Sequence, residues 1–159
     1  MTDACFIALE IGGTKLQAVL GNHEGEIWER RRTQVDREAG ARGILAWASQ
    51  QTQELMDRFP VKALGIGFGG PVESQSGKVL TSHQIGGWEN VPIRRWFEER
   101  FAVPVVVAND ANAAGWAEYR LGAGRGTQNF CYMNIGSGIG GALILEGRLY
   151  DGQDRKSVV

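Results

Sequence analysis

Short strand-like apolar runs separated by turn residues open the chain, and a longer, helical spacing follows them. Residues 5–10, 15–21 and 26–33 predict three strands in an antiparallel meander, joined by a glycine loop and the turn Gly21-Asn22-His23-Glu24-Gly25. Leu45, Ala48, Thr52, Leu55 and Phe59 then recur at intervals of three and four, with Met56 widening the stripe, which predicts a helix over residues 39–59. Pro60 disfavours helical geometry at Phe59 and marks its end.

Val61–Phe68 reads as a buried strand in which Gly65 and Gly67 signal close backbone approach. It runs into Gly69-Gly70-Pro71, a turn whose amides can face a ligand. A hairpin follows around Ser76-Gly77, then a short helix over residues 91–101 entered through Pro92, then a buried strand over residues 103–108. A helix between strands gives the sheet parallel members, so the fold class is α/β. Asn109-Asp110-Ala111-Asn112 closes that strand, residues 111–121 predict a helix, and glycine-rich residues 122–126 form a linker. The domain boundary is expected there: residues 1–121 form one domain and 122–153 begin a second. Residues 128–150 hold only hairpin material, which is marginal in water without a layer to cover it.

Two glycine loops of one design stand out. Glu10-Ile-Gly-Gly-Thr-Lys15 and Ile135-Gly-Ser-Gly-Ile-Gly-Gly141 each lie between strand-like runs. Glycine permits positive φ and leaves backbone N–H groups free to converge on an anion, so such loops hold phosphate, while either loop alone also reads as a tight hairpin turn. A dinucleotide fingerprint is rejected because residues 142–145 continue as a strand where that motif needs a helix. A Walker A loop is rejected because its four-residue spacer and Lys-Ser/Thr ending are missing.

A chain of 159 residues with a formal net charge of -1 and 43% apolar residues has material for one core and part of another. No basic run interleaved with aromatics offers a nucleic-acid surface, and Arg30-Arg31-Arg32 reads as a solvated strand edge that discourages edge pairing. No apolar stretch reaches membrane-spanning length and no charged leader precedes one, so a cytoplasmic protein is expected. Cys5 and Cys131 lack CxxC spacing and are expected to be buried free thiols.

Chemistry concentrates at Asp110. A carboxylate at the C-terminal end of a buried strand in an α/β sheet faces the ligand crevice, and one that accepts a hydroxyl proton during attack on a γ-phosphate supplies about 10²- to 10⁴-fold. The other reading is that Asp110 caps the helix from Ala111, and the two roles can coexist. Asn109 is a candidate for a second sugar hydroxyl, and Asn112 for satisfying loop backbone. Lys15 is either a phosphate contact or a solvated lysine; His83, ahead of Gly86-Gly87-Trp88, is either a ligand or structural.

These motifs, in this order, resemble the N-terminal half of the ROK family (repressor, open reading frame, kinase) over about residues 4–152. The resemblance rests on Glu10-Ile-Gly-Gly-Thr-Lys15, Gly65-Ile-Gly-Phe-Gly-Gly-Pro-Val72, Gly87-Trp88, Asn109-Asp-Ala-Asn-Ala-Ala114 with Glu118, and Asn134-Ile-Gly-Ser-Gly-Ile-Gly-Gly141. It implies an actin-like (ribonuclease H-like) ATPase fold of two domains closing on ATP, Mg2+ and a hexose. Gly12, Gly13, Thr14 and Lys15 would form the first phosphate loop, and Gly136, Ser137, Gly138 and Gly140 the second. Gly70, Asn109 and Asp110 would meet the sugar, with Asp110 as general base, and Glu10 would hold the metal; His83 stays a candidate sugar contact on its sequence position alone. Two positions depart from the family pattern: Glu10 stands where most members have aspartate, and Gln84 where many have asparagine.

The resemblance further implies a glucokinase-like ATP-dependent hexose kinase, homodimeric at full length, with a second sugar-binding segment and a structural zinc site beyond Tyr150. A repressor of the same family would need a DNA-binding domain ahead of Glu10, for which the nine preceding residues leave no room. The alternative is a noncatalytic sugar-binding or regulatory protein. Residues 154–159 read like a translated library adapter, so they are expected to be a non-native tail, with the native chain continuing past Gln153 and residues 1–159 inactive by themselves.

Overall fold

The structure, a computed structural model, describes residues 4–135 and 138–150. Strands β1 (Cys5–Ile11), β2 (Lys15–Asn22) and β3 (Ile27–Gln34) form the expected meander, and β4 (Val61–Phe68) and β7 (Val105–Asn109) add to it in parallel, giving the order β3-β2-β1-β4-β7. The short strands β5 (Val72–Glu73) and β6 (Lys78–Val79) make the hairpin around Gly77, whose φ of 65° suits glycine. A separate sheet of order β10-β9-β8 is built from β8 (Phe130–Ile135), β9 (Ile139–Leu145) and β10 (Arg148–Leu149).

One face of the five-stranded sheet is the core. Ile7 and Leu9 of β1, Ala18 and Leu20 of β2, Leu64 and Ile66 of β4 and Val107 of β7 are all buried there. Helix α1 (Gly40–Met56) covers them with Ala41, Ile44, Ala48, Thr52 and Leu55. Its stripe runs through Ile44 rather than Leu45, which lies at the flank and is partly buried. Thr52 and Ser49 are tolerated inside because their hydroxyls donate to the carbonyls of Ala48 and Leu45 at 2.8 and 2.7 Å. The helix stops at Met56, three residues short of Phe59; the Asp57 and Phe59 N–H groups still bond back to Gln53 and Leu55 in a closing turn.

Helix α2 (Ile93–Phe101) begins later than residue 91, because Val91 is drawn into a bridge with Val79 and leaves Pro92 as the N-cap. Ala102 ends it in the left-handed conformation, φ 52°. Helix α3 (Asp110–Leu121) starts one residue earlier than expected, at Asp110.

The arginine cluster does lie on the edge strand, β3, yet Arg31 is more than a solvated edge. It reaches Glu54 of α1 at 2.6 Å and Glu29 at 2.7 Å, tying helix to sheet. Cys5 is buried as expected, but Cys131 is exposed, because it lies on the face of β8 that no described residue covers. Among the described residues, no helix is long and apolar enough to cross a membrane. Residues 154–159 lie outside the described residues.

Candidate active site

Three segments far apart in sequence converge just past the C-terminal ends of the parallel strands β1, β4 and β7. A Cβ added to Gly69 would lie 3.4 Å from each of Gly12 Cα, Ile11 O and Asp110 Oδ2, so the first glycine loop, the end of β4 and the start of α3 touch at one point. The Gly69 N–H donates to Ile11 O at 2.8 Å, and the glycine loop closes on itself through Gly12 N–H to Lys15 O at 3.2 Å. The second glycine hairpin arrives at the same place: a Cβ on Gly140 would lie 2.9 Å from Ala111 Cβ and 2.6 Å from Asn134 Oδ1. Gly138 is exposed in that hairpin, and Gly136 and Ser137 lie outside the described residues.

The sheet face opposite the core forms the floor of a cavity of about 820 Å³. Glu10, Gln17, Asp110, Asn112 and Asn134 supply its polar lining, while Ala8, Val19, Val106 and Trp116 line much of the remainder. Gly65 and Gly67 keep the floor low, and Gly67 lets α3 approach, with Ala113 Cβ and Asp110 Cα each 3.8 Å from where a Cβ would be.

The capping role considered for Asp110 falls to Asn109. The N-cap is Asn109: its Oδ1 accepts from the N–H groups of Ala111 at 3.0 Å and Asn112 at 3.4 Å. Its Nδ2 donates to Gly70 O at 3.1 Å and Phe68 O at 3.4 Å, so this buried carboxamide ties α3 to the turn after β4. Asp110 is the first helical residue; Oδ1 accepts from Ala111 N–H at 2.8 Å, and the side chain opens into the cavity. Protein packed behind the carboxyl raises its pKa above the usual value, and the negative charge of Glu10 raises it further, against the lowering effect of the Ala111 bond. Asn112 is buried and lines the cavity, and its side chain makes no hydrogen bond to another described residue.

Glu10 Oε2 accepts from Gln17 Nε2 at 3.1 Å, and Oε1 pairs with the exposed Lys15 Nζ at 3.4 Å. Gln17 is in turn held by Arg32 Nε at 2.5 Å. Hairpin arithmetic would have found Gln17: closing the loop with Ile11 opposite Leu16 sets Glu10 opposite Gln17. Thr14 is exposed in the loop and its carbonyl accepts from Val35 N–H at 2.9 Å. Gly70 is buried, with Thr81 O 3.1 Å from its missing Cβ. His83 is exposed in the segment after Thr81 and is not among the residues lining the cavity.

Magnesium binds through one or two carboxylates together with phosphate oxygens. Glu10 of β1 and Asp110 of α3 both line the cavity with hard oxygen donors, near enough for the charge of one to act on the other, so the residues present fit such an ion. The zinc expectation falls on segments outside this sequence.

This is an α/β domain of the actin-like ATPase fold, with glycine hairpins presented at the carboxyl ends of its strands. A profile of the ROK family matches residues 6–155, and the chain belongs to that family. It is 34% identical over 146 residues to a glucokinase of Streptomyces coelicolor, covering 92% of this chain and 45% of the relative. Its structure is similar to that of a ROK family glucokinase from Streptomyces griseus in complex with glucose and AMPPNP, with a TM-score of 0.86, 34% identity, and coverage of 98% of this chain and 48% of that one. A ROK family transcriptional regulator, at 22% identity and a TM-score of 0.82 over 99% of this chain and 40% of that one, shares the fold. The chain spans about half the length of the curated relatives it matches.

Proposed function

We propose that this chain is the phosphate- and sugar-gripping half of an ATP-dependent hexose kinase, glucokinase-like, with Asp110 as the general base. The observation that carries the reading is the meeting of Gly12, Gly69 and Gly140 at the start of α3, the first two beside Asp110 and the third against Ala111. Backbone N–H groups of the first loop bind the nucleotide's phosphates, and the second loop does the same from the facing hairpin. Glu10 would hold Mg2+, which when bound neutralises charge on those phosphates. The turn at Gly70 and the cap residue Asn109 shape the sugar side, and His83 is kept as a candidate sugar contact.

A sugar hydroxyl is a poor nucleophile at neutral pH, and Asp110 accepts its proton as the oxygen attacks the γ-phosphate. The raised pKa of Asp110 strengthens it as a base, since proton affinity and basicity are the same quantity. In a chain of the relatives' full length, Asp110→Asn is expected to lower glucose-dependent turnover by at least about 10²-fold with ATP binding kept. Near-unchanged turnover would remove Asp110 from catalysis; tight sugar binding without any phosphorylation in the unsubstituted protein would turn the reading to a regulatory one.

A further inference from the structure

The side chain of Gln84 lies directly on the first glycine loop. A methyl group built on Gly13 would run into Gln84 Oε1 and Cδ, with Nε2 3.1 Å away, so glycine at that position is what admits the carboxamide. The segment carrying Gln84 is anchored on several sides. Ser82 Oγ accepts from the N–H groups of Gln84 and Ile85 at 3.3 Å each, and Gly86 O accepts from Ala41 N–H at 3.0 Å. Buried Trp88 meets Phe68 edge-on with ring centroids 4.8 Å apart. The same segment touches the turn after β4, where Thr81 O sits 3.1 Å from the missing Cβ of Gly70. The backbone is fixed while the exposed Gln84 carboxamide makes no hydrogen bond to another described residue.

An unspent amide held against a loop that would grip an anion through its backbone N–H groups would be a further donor to that anion. We propose that Gln84 is a phosphate-positioning residue, its Nε2 donating to an oxygen of a nucleoside triphosphate's phosphate held over residues 12–14. The inference rests on reading the first glycine loop as a phosphate site. Because the segment also touches the Gly70 turn, Gln84 links phosphate occupancy to the sugar side of the cleft.

Nitrogen-15 spectra of the 159-residue chain, titrated separately with MgATP, with inorganic tripolyphosphate and with adenosine, test the assignment. The Gln84 side-chain amide, identified by its loss in Gln84→Ala, and the Gly13 backbone amide are both expected to shift with MgATP and tripolyphosphate and to stay in place with adenosine. Gln84→Ala is expected to weaken tripolyphosphate binding about tenfold and the isosteric Gln84→Glu to weaken it more, because a carboxylate repels the anion. A Gly13 shift with an unmoved Gln84 amide, or a Gln84→Glu affinity equal to that of the unsubstituted chain, overturns the role of Gln84 and leaves the phosphate loop standing. An unmoved Gly13 overturns both readings.

Discussion

The two glycine hairpins share a plan and differ in what covers them. In β1 and β2, Ile7, Leu9 and Leu20 are 1%, 2% and 0% exposed, because α1 lies across that face. In β8 and β9, Met133, Ile135 and Ile139 are 66%, 76% and 66% exposed on the face away from α3, and only the other face, with Ala142 and Ile144, is buried. The strand pattern states which face can be buried, and a second layer decides whether it is. The first hairpin is therefore a load shared by a whole core, and the second is held by one helix.

The largest test of this contrast is a matched pair of truncations. Leu9→Ala is expected to cost about 3 kcal/mol in urea unfolding, through lost transfer energy and an unfilled cavity. Ile135→Ala, at the exposed position of the second hairpin, is expected to change stability by less than about 0.5 kcal/mol. Comparable losses would mean that the open face of β8 and β9 is covered in solution.

A narrower test addresses the joint between the second hairpin and α3. A Cβ on Gly115 would collide with Ala142 Cβ and lie 3.0 Å from Tyr132 Cβ, so the helix and hairpin approach at a glycine. Gly115→Val is expected to cost about 1–3 kcal/mol by overpacking and to raise amide exchange in β8 and β9 while leaving β1 and β2 protected. Uniform loss of protection would show that the two hairpins open as one unit.

Next in size is the latch that joins the first hairpin's sheet to α3. Asn109→Ala loses the cap and the tether to Gly70 and is expected to cost about 1–2 kcal/mol; Asn109→Asp keeps the cap acceptor but not the donor to Gly70 O. An aspartate variant as unstable as the alanine variant would assign the whole effect to the tether.

Much of this was legible in the residues. The meander, the parallel strands and the placement of Asp110 at a strand end follow from turn residues, apolar runs and the rule that crevices open at carboxyl ends. The choice of Asn109 over Asp110 as the cap was not, because either side chain satisfies a cap and only the helix start decides which one does. Cys131 was misplaced for the reason that separates the hairpins: a strand-like run does not reveal whether its outer face has a neighbour. The contact of Gln84 with Gly13 joins residues some seventy positions apart, and no local pattern encodes it.

The smallest effect is electrostatic and acts on stability. Burial first, and the Glu10 charge after it, lift the Asp110 pKa above its ordinary 3.8, so the fold favours the protonated carboxyl. That contribution is complete below about pH 3.8 and is lost as pH rises through the higher folded-state value, above which the ionised group opposes folding. Asp110→Asn removes the charge and keeps an acceptor for the Ala111 N–H, so its melting temperature is expected to exceed the parent's by about 1–2 °C at pH 7, kept small by the openness of the cavity, with the gap closing towards pH 4. A gap independent of pH would assign the change to packing. The first hairpin's well-covered sheet tolerates this opposing charge at its edge, and the same substitution that relieves it would remove the proposed base.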